Sequence, residues 1–264
     1  MNARPKPPAR SRTSRPPRAH LLGSTLLVAA LLATLFTAWS PSSLLMDDLP
    51  EQFARLMTPR PLDAEPSAAT PLPPLRIGIV AGHLGYDSGS VCTDANGQVT
   101  LTELEVNQKI ASLVQTRLSA FGYQVDLLQE YDTRLAGYRA AALVSIHNDS
   151  CDYINDQATG FKVAAAKDTR DVNRANRLTA CLVDRYVRAT DMAFHAGSIT
   201  ADMTDYHTFS EIAPDTVAAI IETGFLNLDR DFLTKRTDVV ANGIVQGILC
   251  FINNENIEPT PFPP

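Results

Sequence analysis

Between residues 75 and 254, short apolar runs alternate with stretches of helical periodicity, and this alternation limits the chain to few architectures. Apolar runs of strand length lie at 75–82, 123–129, 141–147, 160–166 and 216–224. One helical pattern begins near Glu103, and two others cover 171–189 and 239–252. Thr102 and Glu105 match a capping box, which places the start of the first helix near Glu103. Apolar strands interleaved with helices predict an α/β domain with a largely parallel sheet covered on both faces.

Ionisable side chains follow three of these apolar runs at their carboxyl ends. They are His83, His147 and Glu222, while Glu103 opens a helix that we expect at the same edge. Ligands bind at this edge in parallel sheets. Two imidazoles and a carboxylate form a normal zinc set with a fourth position left for water, and a second carboxylate can serve as the base.

Each of these residues also has an ordinary interpretation. A histidine at a strand end is more often structural, and Glu103 can complement the dipole at a helix start. Glu222 is harder to explain in this way, because a carboxylate within an apolar strand needs a partner or a shifted pKa. The convergence of all four on one edge favours a site.

Four ordered segments carry a family resemblance. They read "GHLGYDSG" (82–89), "TELEVN" (102–107), "SIHNDSC" (145–151) with "TGFKV" (159–163), and "IIETGFLN" (220–227). Together they resemble the zinc-dependent N-acetylmuramoyl-L-alanine amidases of the Amidase_3 type. The resemblance implies hydrolysis of the amide between N-acetylmuramic acid and the first L-alanine of the peptidoglycan stem. It also implies a three-layer α/β/α fold with a mixed, mostly parallel central sheet.

Matched motif by motif, the resemblance assigns each polar residue a role. His83, Glu103 and His147 become the ligands of a Zn²⁺ cofactor, and Glu222 becomes the catalytic acid/base. Four further residues are candidate substrate contacts or supports of the ligands: Asp87, Asn107, Asn148 and His207. Ordinary loop or helix-start hydrogen bonds explain the first three equally well. His207 is included because it stands shortly before the strand of Glu222, and an exposed loop histidine is its alternative.

Several positions depart from the family pattern. Leu84 stands where the first motif usually has glycine, so the loop after His83 is expected to have a different shape. The segment after His147 reads "HND" instead of "HAN", and "GFLNL" replaces "GFLSN" after Glu222. We expect these departures to affect specificity more than catalysis.

Other functions remain open at this stage. The chain can be another exported zinc amide hydrolase, such as a peptidase, although no spare ligand cluster for a second metal is visible. It can also be a catalytically silent wall-binding or regulatory protein, or a scaffold with structural zinc. A structural zinc site is normally closed by four protein ligands, whereas the fourth position here is open.

The N-terminal part of the chain predicts a membrane anchor. Residues 1–20 carry six cations and no acid, and residues 21–39 form an uncharged apolar stretch long enough to span a bilayer. The flanking arginines predict a cytoplasmic N-terminus and an extracytoplasmic catalytic domain. A cleaved signal peptide, and hence a secreted protein, is the alternative.

Proline-rich composition predicts a tether over 40–75 and a short tail over 255–264, which leaves 76–254 as the catalytic domain. The net charge of −6 includes the six N-terminal cations, so the rest of the chain is clearly acidic. We therefore expect no binding to nucleic acid. The expected partners are peptidoglycan and the membrane, and an activating protein is left open.

The exported location permits disulfides between the four cysteines. Cys92 and Cys151 follow candidate ligands in loops, while Cys181 and Cys250 lie in helical patterns. We expect pairing within each of these two sets; four buried thiols are the alternative.

Overall fold

The computed structural model describes residues 74–257. The predicted basic arm (1–20) and apolar span (21–39) lie outside the described residues, as does nearly all of the proposed tether. Within the described part of the chain, no helix is long and apolar enough to cross a membrane.

The described residues form seven strands and six α-helices. The strands are β1 (Arg76–Ala81), β2 (Val91–Thr93), β3 (Val99–Thr102), β4 (Gln124–Leu128), β5 (Ala142–Asp149), β6 (Lys162–Ala165) and β7 (Ala218–Phe225). The helices are α1 (Glu103–Ala120), α2 (Val172–Thr190), α3 (Ala201–Thr204), α4 (His207–Glu211), α5 (Arg230–Lys235) and α6 (Thr237–Ile252). The five predicted strands and three predicted helices are all present.

Five strands form the central sheet in the order β4-β1-β5-β7-β6. The contacts of β1 with β4 and β5, and of β5 with β7, are parallel, whereas β6 runs antiparallel to β7. The predicted mixed, mostly parallel sheet is therefore confirmed. Strands β2 and β3 form a separate antiparallel pair, which was not predicted because both are short.

The two faces of the sheet are covered differently. Successive side chains alternate between faces, so Val144 and Ile221 point to one side and Leu143 and Ile220 to the other. The first side packs against the long helices α1, α2 and α6. The second is covered by α3, α4 and a 3₁₀ turn that contributes Leu135. The three-layer prediction is correct in outline, but only one outer layer consists of long helices.

The start of α1 is set by a capping box. The Thr102 hydroxyl accepts a hydrogen bond from the Glu105 backbone N–H at 3.2 Å, and the Glu105 carboxylate accepts one from the Thr102 backbone N–H at 3.0 Å. Such caps stabilise a helix by about 1 kcal/mol. The predicted box is confirmed, and it makes Glu103 the first residue of the helix.

Both expected disulfides are present. Cys92 pairs with Cys151, and Cys181 pairs with Cys250. The second bridge joins α2 to α6 within the layer of long helices. The packed region also extends slightly beyond the predicted end at residue 254, because Ile257 packs against the core.

Candidate functional site

Four neighbouring strands of the sheet each deliver one polar side chain to an open cleft at their carboxyl ends. His83 follows β1, Glu130 follows β4, His147 lies in β5 and Glu222 lies in β7. The cleft has a volume of about 440 Å³. His147 and Glu222 project to the face that lacks long helices, which leaves room for the cleft above them.

His83, Glu103 and His147 form a group of potential metal ligands. One ligand atom from each residue lies within 4.8 Å of the other two. His83 Nε2 is 3.1 Å from Glu103 Oε2, and His147 Nδ1 is 3.2 Å from Glu103 Oε1. Two imidazoles and one carboxylate converging in this way suit a zinc ion with an open fourth position.

The Glu103 carboxylate is held by hydrogen bonds from three further groups. Its Oε1 accepts from Asn107 Nδ2 and from the Asn148 backbone N–H, both at 3.1 Å. Its Oε2 accepts from the Ser90 backbone N–H at 3.0 Å. Burial alone would raise the pKa of Glu103, but hydrogen bonds from the two histidines hold it well below its usual range. The carboxylate is therefore ionised and fixed in orientation.

Asn107 and Asn148 both support this carboxylate, and Asn148 also lines the cleft. Both residues are buried, and Asn148 Nδ2 donates to Asn107 Oδ1 at 2.6 Å. Asn107 also donates to the Gly82 carbonyl at 3.2 Å. These hydrogen bonds hold the Glu103 carboxylate in place.

Asp87 supports the first histidine. Its carboxylate lies 2.6 Å from His83 Nδ1, which leaves Nε2 directed towards Glu103. Burial would lower the pKa of His83, but its hydrogen bonds to Glu103 and Asp87 raise it to about 9. A carboxylate behind a metal-binding histidine fixes the tautomer and makes the imidazole a better ligand.

Glu222 faces the group from β7. Its Oε2 is buried and has no hydrogen-bond partner among the described residues. Burial raises the pKa of Glu222 to about 7, although the neighbouring charge of His147 lowers it. A carboxyl group with a pKa near neutrality can both accept and release a proton at physiological pH.

Glu130 and Tyr206 are cleft residues that sequence reasoning missed. Glu130 is 5% exposed and accepts hydrogen bonds from the Tyr206 hydroxyl at 2.8 Å and from His207 Nε2 at 2.9 Å. Burial would raise the pKa of Glu130, but the charge of His147 and these hydrogen bonds lower it. Its position after β4 is the same signal that identified the histidines. Tyr206 carries no comparable signal.

His207, proposed from sequence as a substrate contact, lies at the rim of this network. Its Nδ1 is 2.8 Å from Glu211 Oε1, and its ring stacks on Tyr131 with centroids 4.2 Å apart. Both ring nitrogens of His207 thus contact carboxylates, Nδ1 that of Glu211 and Nε2 that of Glu130.

The backbone near the site is shaped by close approaches. A Cβ atom on Gly82 would lie 2.4 Å from His147 Cε1, and one on Gly89 would lie 2.6 Å from Glu103 Oε2. His83 itself has a left-handed φ of 66°, followed by Gly85 at 78°. Leu84 between them has no positive φ, so a glycine is not required there, and its side chain packs against the core.

A family model described as N-acetylmuramoyl-L-alanine amidase, Amidase_3, matches residues 77–254, which is more than half of the chain. The chain belongs to this family. The amidase domain thus extends from β1 to just beyond α6, and all four motif positions lie in its cleft. No curated protein matches the amidase by sequence.

Solved structures show the same fold. The CwlD amidase from Clostridioides difficile, solved in complex with the GerS lipoprotein, is 19% identical, with a TM-score of 0.54 over 68% of this chain and 99% of that chain. N-acetylmuramoyl-L-alanine amidase AmiC2 of Nostoc punctiforme is 22% identical, with a TM-score of 0.54 over 68% and 97%. The catalytic domain of CwlV from Bacillus (Paenibacillus) polymyxa var. colistinus is 20% identical, with a TM-score of 0.51 over 70% and 99%.

The family establishes the reaction class. The protein is an N-acetylmuramoyl-L-alanine amidase, a hydrolase that acts on peptidoglycan. The resemblance inferred from the four motifs is therefore confirmed for family and activity.

Proposed function

We propose that this amidase cleaves the bond between N-acetylmuramic acid and L-alanine with the help of a zinc ion held by His83, Glu103 and His147. One observation carries the proposal. The three ligand atoms converge within 4.8 Å, and Glu222 faces them with a buried Oε2 that has no hydrogen-bond partner in the described part of the chain. A carboxylate left without a partner beside a cation site is expensive unless it takes part in the chemistry.

The donor atoms available to the metal follow from the hydrogen bonds. His83 would bind through Nε2, because its Nδ1 is engaged by Asp87. His147 would bind through Nδ1, because its Nε2 is directed towards the Tyr206 hydroxyl at 3.3 Å. Zinc, when bound, would lower the pKa of a water molecule towards ~7 and polarise the scissile carbonyl.

Glu222 would act as the general base and then as the general acid. It accepts a proton from the attacking water and then delivers it to the departing nitrogen of L-alanine, so that the amine leaves in neutral form. Lys162 is the register partner of Glu222 on β6, and its positive charge favours the ionised form of Glu222 that must accept the proton. Lys162 is itself buried and paired with Asp149.

Mass spectrometry of digested peptidoglycan tests this function against the alternatives. We expect the purified full chain to bind about one zinc ion and to release intact stem peptides with free L-alanine amino termini. Cleavage within the stem would instead show a peptidase. Well-folded protein that binds no zinc, or that binds zinc and releases nothing, would overturn the proposal, and the second result would point to a regulatory protein.

We also propose that residues 21–39 retain the enzyme at the membrane with its catalytic domain outside the cytoplasm. The uncharged stretch behind a basic arm supports this proposal. Membrane fractionation with external protease checks it. We expect the catalytic domain to sediment with membranes and to be cleaved by protease added outside the cell. Protein in the medium that lacks the N-terminal segment would instead show a cleaved signal peptide.

A further inference from the structure

Glu130 lies behind the metal ligands, and each of its oxygens faces two hydrogen-bonding groups. Oε2 accepts from the His83 backbone N–H at 2.7 Å and lies 3.6 Å from His147 Nε2. Oε1 accepts from the Tyr206 hydroxyl and from His207 Nε2. The side chain belongs to none of the four family motifs, yet it contacts or approaches two of the three ligand residues.

Each histidine of the site has a carboxylate behind it, directly for His83 and through the Tyr206 hydroxyl for His147. His83 has the Asp87 carboxylate behind its outer nitrogen, and His147 has Glu130 and the Tyr206 hydroxyl behind its own. Metal-binding histidines generally donate their second N–H to a carboxylate or similar acceptor, which fixes the tautomer and ring orientation. For His147 the Tyr206 hydroxyl lies in that position at 3.3 Å from Nε2. Glu130 accepts the hydrogen bond of this hydroxyl and places its second oxygen 3.6 Å from the same nitrogen.

Glu130 also holds the backbone of the first ligand. His83 adopts a left-handed φ of 66°, a conformation that costs a non-glycine residue about 1 kcal/mol or more. The 2.7 Å hydrogen bond from its N–H to Glu130 Oε2 stabilises this turn. A single carboxylate thus connects the turn that carries His83 to the outer edge of the His147 ring.

We propose that Glu130 is a positioning residue for the metal site, an inference that rests on the proposed zinc-dependent function. It holds His147 in the tautomer with the proton on Nε2, so that Nδ1 is presented to the metal, and it fixes the backbone of His83. Glu130 is not a fourth ligand, because it faces His147 Nε2 whereas Glu103 faces His147 Nδ1.

The substitution Glu130→Gln separates this role from simple space filling. A carboxylate accepts hydrogen bonds at both oxygens, whereas a glutamine amide has one accepting oxygen and one donating NH₂ group. In Glu130→Gln the NH₂ group would therefore face two of the four groups that surround the Glu130 carboxylate. The matched control is Glu211→Gln, which changes a carboxylate of the same network that contacts His207 and neither histidine ligand.

Zinc affinity of the full chain, measured by competition with a chromogenic chelator, gives the first readout. We expect Glu130→Gln to weaken zinc binding by about 10- to 100-fold, the usual effect of losing a support of a metal ligand. Glu211→Gln should remain within about twofold of the wild type. Equal zinc affinity of Glu130→Gln and wild type would overturn the proposal. Zinc alone is the probe, so this result is independent of whether peptidoglycan is cleaved.

The tautomer of His147 gives a second readout that a purely structural role would not move. In ¹⁵N NMR spectra of the zinc-bound wild type, we expect His147 to carry its proton on Nε2. The Nε2 proton signal should broaden or shift in Glu130→Gln and stay unchanged in Glu211→Gln. A proton on Nδ1 in the wild type would overturn the proposal. If Glu130→Gln does not fold, Tyr206→Phe removes the hydroxyl between Glu130 and His147, and an unchanged Nε2 signal there would count equally against it.

Discussion

His147 on β5 and Glu222 on β7 are register partners in the parallel sheet. Both side chains therefore project from the same face at the same level, which brings a potential metal ligand and the acid/base candidate together without any loop between them. Strand pairing is rigid compared with loop geometry, so the separation of these two side chains is set by the sheet.

Replacing Glu222 with glutamine should remove catalysis and leave the metal site intact. Glutamine cannot accept the proton of the attacking water, and positioned acid–base groups typically contribute 10²- to 10⁴-fold in rate. We expect a loss of that order in stem release, with the zinc content per chain unchanged in metal analysis. Full activity of the variant would show that another group carries the proton.

The same substitution should change the pH dependence of stability in the metal-free protein. Burial raises the pKa of Glu222 from 4.5 to about 7, so the ionised form is unfavourable in the fold. The resulting loss of folding stability is absent below pH 4.5, the pKa in the unfolded chain. It grows between pH 4.5 and 7 and is complete above pH 7. In urea unfolding with chelator present, Glu222→Gln should be more stable than wild type by on the order of 1–3 kcal/mol at pH 8 and nearly equal at pH 4.5. A pH-independent difference would contradict this account.

Zinc binding should be coupled to proton release. In the metal-free site the pKa of His83 is raised to about 9 and that of His147 is also raised, because hydrogen bonds to Glu103 outweigh burial. Both imidazoles must be neutral to bind metal. Zinc affinity should therefore rise as pH increases from 6 towards 9, and calorimetry in buffers of different ionisation enthalpy should detect protons released on binding. Affinity that stays flat across this range would argue against these histidines as ligands.

Gly82→Ala should damage the site through steric contact alone. The added methyl group would lie 2.4 Å from His147 Cε1, so the ring has to move. We expect zinc affinity to fall by about tenfold or more, as misplaced ligands usually cause. Gly197→Ala is the control, because a Cβ there meets nothing within 4 Å and no positive φ is needed. Equal losses in both variants would show a general effect of alanine.

Removing the Cys92–Cys151 bridge should loosen the loop after His147. The bridge closes a segment with a sequence separation of 59, for which chain-entropy estimates give about 4 kcal/mol of stability. Cys151 also donates its backbone N–H to Ser90 Oγ at 2.8 Å, and Ser90 in turn supports Glu103.

The double substitution of Cys92 and Cys151 to alanine should lower the free energy of unfolding by about 2–4 kcal/mol and weaken zinc binding. The matched Cys181/Cys250 double variant should lose stability with little change in zinc affinity, and a reversed pattern would refute this coupling.

Sequence reasoning reached most of the fold because the relevant patterns are local. The apolar strands, the three long helices and the capping box at Thr102 each leave a periodic or short-range signature. Elements of three to six residues, such as β2, α3 and α5, leave too little pattern to be recognised. The thinner layer on one face follows from these short elements and could not be anticipated from the long helices alone.

The sequence by itself determined the family, the four motif residues and the edge of the sheet where they meet, because strand ends and motif spacing are properties of a linear chain. Only the tertiary structure decided what surrounds them. Glu130 and Tyr206 come from segments 76 residues apart, and their hydrogen bond behind His147 depends on how β4 and the short helices pack against the sheet. Likewise, only the folded structure shows that Glu222 Oε2 is buried without a hydrogen-bond partner among the described residues. Its desolvation depends on all of the residues packed around it, and these come from distant parts of the sequence.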